Sequence, residues 1–300
     1  MGQLLDKLPA SSRVAVIRLR SLGDCVLTTP AIALLKAHRP DLEIAVVVEG
    51  RFKGVFEGNP DISALLPPEP FSNWKPRLTL NFHGGTRSMW LTAASRAKYR
   101  AGFAHHAYSF LYNQRIPRAQ QTLGEERPVH TAEHLASAMF WLGVPRTEIP
   151  RAKLFAPPHD PVAPYTVIHP FASAPEKAWA PDRFLAVARQ LRQSGLDPVF
   201  LSGPADDPSP FHEFRIHRNA PLSEVKSVLS GAQLFIGNDS GPAHIAAAFG
   251  IPVVVLFGPS NPVTWAPWRT EAQVLTSPEG MSGISIAQVN TAAETLRVNA

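Results

Sequence analysis

LFIGNDSGPAHIAAAFGIPVVVLFGP, residues 234–259, decides the fold. An apolar run, Leu234–Gly237, leads into Asn238, Asp239, Ser240 and Gly241. A small-residue helix, a second apolar run (Val253–Phe257) and another glycine turn follow. Short apolar runs alternating with helical segments specify buried strands of a parallel sheet. The polar residues fall where strand hands over to helix, and open parallel sheets bind ligands at the carboxyl ends of their strands. The first turn of a helix offers unpaired N–H groups and a positive dipole end, which favour a phosphate. Pro242 costs nothing there, because its missing N–H has no helical partner to lose. Asp239 or Ser240 serves as helix cap, and His244 lies one turn further on, among alanines. Alone it reads as a core histidine. Converging with Asp239, Ser240 and Gly241 at one strand end, it reads as part of a nucleotide or phospho-ligand site.

The same alternation runs through the chain. Strands are expected at Val14–Leu19, Glu43–Glu49, Leu78–Phe82, Tyr165–His169 and Pro198–Leu201. Helices are expected from about Asp24, and at Thr86–Ala97, Thr131–Leu142, Pro181–Gln193, Leu222–Leu229 and Ile284–Leu296. This is an α/β pattern. Thr29-Pro30 falls inside the first helix, which either kinks there or restarts with Thr29 as cap. The proline-rich break FAPPHDPVAP, 155–164, separates two Rossmann-like domains, 1–157 and 158–300, expected to face each other across a cleft. The last helix, 284–297, is expected to cross back onto the first domain. Neither half carries G-x-G-x-x-G after its first strand, so dinucleotide chemistry lacks its fingerprint.

Three hundred residues at 45% hydrophobic content suffice for two cores. The single cysteine, Cys25, excludes an internal disulfide and fits a reducing compartment. The first residues lack a basic segment followed by an apolar one, so no leader peptide is expected and the location is read as cytoplasmic. Charge is uneven: residues 1–160 hold 20 Lys+Arg against 13 Asp+Glu, residues 161–300 hold 9 against 11. From Pro70 to Gly124 there is no acid, and eight basic residues (Lys75, Arg77, Arg87, Arg96, Lys98, Arg100, Arg115, Arg118). Such a field attracts anions. By charge alone the partner is a phosphorylated glycolipid, an anionic membrane surface such as the inner leaflet, or nucleic acid. Trp74, Trp90, Tyr99 and Phe103 fall at strand and helix spacing. They read as core residues rather than base-stacking groups, and nucleic acid is not expected.

Three further stretches carry chemistry. The first strand ends in RLRSLGD, which puts Asp24 at its carboxyl end; the carboxylate serves either as a general base toward an acceptor hydroxyl or as a helix cap. In HPFASAPEKAW, 169–179, Ser173 and Lys177 suit a diphosphate, the lysine as a point charge. HGGTRS, 83–88, is glycine-rich, basic and at a strand end. It is an anion cradle with His83, Arg87 and Ser88 as acceptor-binding candidates. His130-Thr-Ala-Glu133-His134 matches a zinc pattern but lacks a third ligand in context, so no metal is assigned.

Together these blocks resemble the bacterial heptosyltransferases, glycosyltransferase family nine. The likeness runs through VIRLRSLGDCVLTTPAIALLK, HGGTRS, HPFASAPEKAWAPDRF and IGNDSGPAHIAAAFGIPVVVLFGP, in that order. It implies a two-domain GT-B fold and inverting transfer from ADP-heptose to the lipopolysaccharide inner core or a related glycolipid. It implies Asp24 as base, Ser173 and Lys177 at the donor diphosphate, and Asp239, Ser240, Gly241 and His244 lining the donor site. No cofactor and no chelated metal are implied. Asn81 stands where the family often has an aspartate, and Asp206–Ala220 is short where relatives read nucleotide and sugar. Two other readings follow from the same residues. One is a GT-B enzyme using a different nucleotide sugar, and the other is a non-catalytic nucleotide- or glycan-binding relative.

Overall fold

The computed structural model describes residues 4–157 and 163–298. The chain divides into two compact units, Met1–Lys153 and Leu154–Ala300. The boundary expected between residues 157 and 158 falls at the edge of segment 158–162, which lies outside the described residues.

The first unit contains β1 (Arg13–Ile17), α1 (Leu22–His38), β2 (Glu43–Val47), β3 (Ala64–Leu66), β4 (Leu78–Asn81), α2 (Thr86–Ala94), β5 (Tyr99–Phe103), β6 (Gln114–Ile116), α3 (Ala119–Leu123) and α4 (Thr131–Leu142). Its six strands lie in the order β3-β2-β1-β4-β5-β6, every pairing parallel. The order reverses between β1 and β4, where Ile17 sits opposite Asn81 at the carboxyl ends. That reversal is the topological switch point, where the loops diverge and leave a crevice.

The second unit contains β7 (Tyr165–His169), α5 (Pro181–Gln193), β8 (Asp197–Ser202), β9 (Arg215–Arg218), α6 (Leu222–Ser230), β10 (Leu234–Asn238), α7 (Gly241–Ala248), β11 (Val253–Leu256), α8 (Pro262–Trp265), β12 (Ala272–Leu275) and α9 (Ile286–Val298). Its sheet, β12-β11-β10-β7-β8-β9, repeats the plan of the first. It is also parallel throughout. The switch point lies between β7 and β10, with His169 opposite Gly237.

The central strands are covered on both faces, which is why they read as unbroken apolar runs. Ala15, Ile17, Val47, Phe71 and Leu91 share a cluster in the first unit. Ile168, Trp179, Phe184, Phe200, Phe211, Ile236 and Leu256 share one in the second. Phe200 and Phe211 stack with ring centroids 4.4 Å apart, which pins the segment after Asp206 to the sheet. Val289, Ala292, Ala293 and Leu296 of α9 belong to the core of the second unit, so the helix covers its own sheet.

α1 runs unbroken through Pro30. Proline leaves the carbonyl four residues back without its helical donor, and here the Thr29 hydroxyl donates to that carbonyl, Val26 O, at 2.8 Å. The same hydroxyl accepts from the Lys153 N–H at 2.9 Å. Among the described residues no helix is long and apolar enough to cross a membrane.

Candidate active site

Asp24 is the third residue of α1; Ser21 holds the cap position, and Asp24 closes a capping box with it. Its Oδ2 accepts from the Ser21 hydroxyl at 2.9 Å and from the Ser21 N–H at 3.4 Å. Its Oδ1 lies 3.2 Å from Nη1 of Arg18, the residue after β1. Arg18 is buried and also donates Nε to the Thr28 hydroxyl at 3.1 Å. Burial opposes the guanidinium charge and Asp24 supports it. The Asp24 side chain keeps 24% exposure, so solvent reaches a carboxylate that the helix and Arg18 hold in place. Cys25 beside it is buried, which pushes its thiol up to about 12 and leaves it no nucleophilic role.

The loop after β4 is organised by Asn81. Its Oδ1 accepts from the N–H groups of His83 (3.0 Å) and Gly84 (3.1 Å), and its Nδ2 donates to Ser88 Oγ at 3.1 Å. A fully buried amide supplying both donor and acceptor explains why this strand ends in asparagine. Gly84 has φ +76°, and a Cβ there would meet the His106 ring at 2.6 Å. His83 is half-buried, and its Nδ1 has no partner. Burial, then the Arg18 charge, holds it below the usual imidazole range, so the ring is neutral at pH 7. Ser88 is corrected as an acceptor contact. It is fully buried and its hydroxyl is spent on Asn81 and on the Gly85 carbonyl at 2.7 Å. Arg87 is exposed and lies 3.6 Å from Glu49 and 3.4 Å from Glu69.

The zinc-like pattern resolves into three separate roles. His130 is the cap of α4 and accepts from the Ala132 N–H, and Glu133 pairs with Arg127 at 2.8 Å. His134 stacks on Phe103 at 3.9 Å.

In the second unit, Asn238 ties the two central loops together. Its Oδ1 accepts from the Trp179 N–H (3.1 Å) and its Nδ2 donates to the Pro170 carbonyl (2.8 Å). Ser240 stands at the cap of α7, but its hydroxyl shares a 3.2 Å hydrogen bond with His169 Nδ1 instead of capping the helix. The first-turn N–H groups therefore keep their capacity for an anion. Burial holds His169 at about 4, so it bonds Ser240 as a neutral ring. Lys177 Nζ lies 3.6 Å from Asp239 Oδ2. Its turn packs against the end of β11, where a Cβ on Gly258 would meet the Glu176 carbonyl at 2.6 Å. Ser173 lines a pocket of about 280 Å³ with Phe171, Trp179, Asp206 and Phe211. His244 is buried within α7. Asp239, Ser240, Gly241 and Lys177 thus gather at one switch point, and Asp24, Arg18 and His83 at the other. The sequence pattern gave Asn238 a place in the polar cluster but no role of its own, and did not single out Arg18 or His169. Their signal was position alone, a polar residue closing an apolar strand.

The family model "Glycosyltransferase family 9 (heptosyltransferase)" matches residues 77–290. Lipopolysaccharide heptosyltransferase 3 of Escherichia coli is 28% identical, the match covering 83% of this chain and 84% of that protein. The lipopolysaccharide core heptosyltransferase OpsX of Haemophilus influenzae is 24% identical over 89% and 85%. The crystal structure of a family 9 glycosyl transferase from Veillonella parvula superposes with a TM-score of 0.87 at 23% identity, covering 97% of this chain and 98% of that one. E. coli ADP-heptose lps heptosyltransferase II gives 0.82 at 17%, covering 96% and 99%. The fold is that of these GT-B enzymes, and the family match spans well over half of the chain. This chain belongs to glycosyltransferase family 9, the heptosyltransferases.

Proposed function

We propose that this protein transfers a heptose from ADP-heptose to an inner-core lipopolysaccharide acceptor, with inversion at the anomeric carbon. The observation that carries the reading is the Asp24 carboxylate, held by Arg18 and Ser21 at a switch point and still open to solvent. The names of the relatives support the sugar and the acceptor.

In this reading the second unit carries the donor. Lys177 and the uncapped first turn of α7 take the diphosphate, and Ser173 takes a phosphate oxygen. Asp239, an acceptor-only carboxylate, suits the hydroxyls of ribose or heptose and not the phosphates. The first unit carries the acceptor, with His83 and Arg87 at its anionic groups. Asp24 takes the proton of the attacking hydroxyl as that oxygen bonds the anomeric carbon. The bond from that carbon to the β-phosphate oxygen breaks, and ADP leaves with its electron pair. Lys177 and the α7 dipole stabilise the charge growing on ADP. The reading asks for no chelated metal, because these groups supply the positive charge.

Calorimetric titration with ADP, UDP, GDP, CDP and ADP-heptose tests the donor. Selective binding of ADP and ADP-heptose is expected. Preference for another nucleotide keeps the glycosyltransferase and overturns the heptose donor.

A further inference from the structure

Trp90, read from its spacing as a core residue, is 64% exposed on α2. Tyr108 and Phe110, in the crossover from β5 to β6, are 51% and 68% exposed, their rings 6.2 Å apart and edge-on. Single exposed apolar side chains are ordinary, but large ones gathered in one patch mark an interaction surface. α2 packs directly against the Ser109–Leu111 turn of this crossover. Arg100 donates Nη1 to the Ala97 carbonyl just beyond α2, and Nε to the Leu111 carbonyl in the crossover. Asn113 donates to the Lys98 carbonyl at 2.8 Å. Around the aromatic residues Ala94, Ala104 and Ala107 are also exposed, and Ala104–Leu111 contains no acid, lysine or arginine.

Cations stand at the rim of this patch rather than within it. Arg96 and Lys98 flank the start of β5, and Arg115 lies in β6. All three are exposed, and among the described residues none of them forms an ion pair with a carboxylate. We infer that this face seats the protein on an anionic lipid surface: Trp90, Tyr108 and Phe110 enter the headgroup region while Arg96, Lys98 and Arg115 meet lipid phosphates. Aromatic side chains favour that depth, and basic residues beside them add attraction to acidic lipids. A nucleic-acid groove would interleave cations with the rings. The inference stands on this surface alone and does not depend on donor or acceptor identity.

The test is co-sedimentation of the whole protein with vesicles of phosphatidylethanolamine and phosphatidylglycerol, against vesicles of phosphatidylcholine. Binding to the anionic vesicles is expected, falling about tenfold or more in a Trp90→Ser, Phe110→Ser variant. Arg96→Ser with Lys98→Ser lowers anionic binding by roughly fivefold per charge and leaves neutral vesicles unaffected. Unchanged ADP binding and thermal unfolding in each variant show that the fold is intact. Wild-type protein that stays in the supernatant overturns the inference, as does an aromatic variant that sediments like wild type. Self-association lost in the aromatic variant, with no vesicle binding by either protein, assigns the patch to a second copy and equally overturns it.

Discussion

Arg18 and Asp24 meet at 3.2 Å, guanidinium to carboxylate, where β1 gives way to α1. The arginine is buried and the carboxylate partly open, so the pair is asymmetric: one member is fixed by the core, the other reaches solvent. In the proposed transfer, a base held this way would spend little entropy in reaching the reactive geometry.

Arg18→Met removes the clamp and keeps the packing. The expected result is a drop in kcat of about tenfold to a hundredfold with donor binding unchanged. Arg18→Lys should restore part of it. Steady-state kinetics with donor and acceptor varied separately make the check.

Lys177→Met should weaken ADP about tenfold, by removing a charge-assisted contact to the diphosphate. Adenosine, which has no phosphate, should bind the variant as it binds wild type. Equal weakening of both would place Lys177 away from the phosphates.

Gly258→Ala forces a Cβ to within 2.6 Å of the Glu176 carbonyl. The turn bearing Lys177 must move, so ADP affinity should fall in the variant while thermal unfolding changes by about 1–3 kcal/mol. Calorimetry and a melting curve on the same sample separate the two effects.

Acid should destabilise this protein well before its carboxylates titrate. Burial first, then neighbouring cations or histidines where present, holds His106 and His134 at about 4, and burial holds His169 there too. Unfolding returns them to about 6.5, so between these values the unfolded chain binds more protons. The stability these rings contribute is complete above about pH 6.5 and is lost as pH falls toward 4. These three rings alone should account for roughly three protons taken up on unfolding near pH 5. His134→Phe should flatten the dependence of the melting temperature in that window.

The central strands and the long helices were legible in the sequence because burial on both faces leaves an apolar run with polar residues at its end. β5 and the edge strands β3, β6, β9 and β12 were not. Tyr99–Phe103 and Arg215–Arg218 carry arginines, and half-covered edges impose no such run. Asp24, Lys177 and the Asp239–Gly241 turn could be placed because switch-point chemistry follows strand order. Ser88 could not be judged, because its partner Asn81 becomes its neighbour only once β4 and α2 are packed. Trp90 shows the opposite failure: helical spacing gives a residue's face, but not whether anything covers that face.

Single-turnover transfer by Asp24→Asn, with ADP-heptose and an inner-core acceptor, is the decisive measurement of whether Asp24 is the base. Asparagine keeps the size of the side chain and one acceptor oxygen but cannot take the proton. The chemical step should slow about a thousandfold, with ADP affinity unchanged. Transfer at close to the wild-type rate would contradict that role.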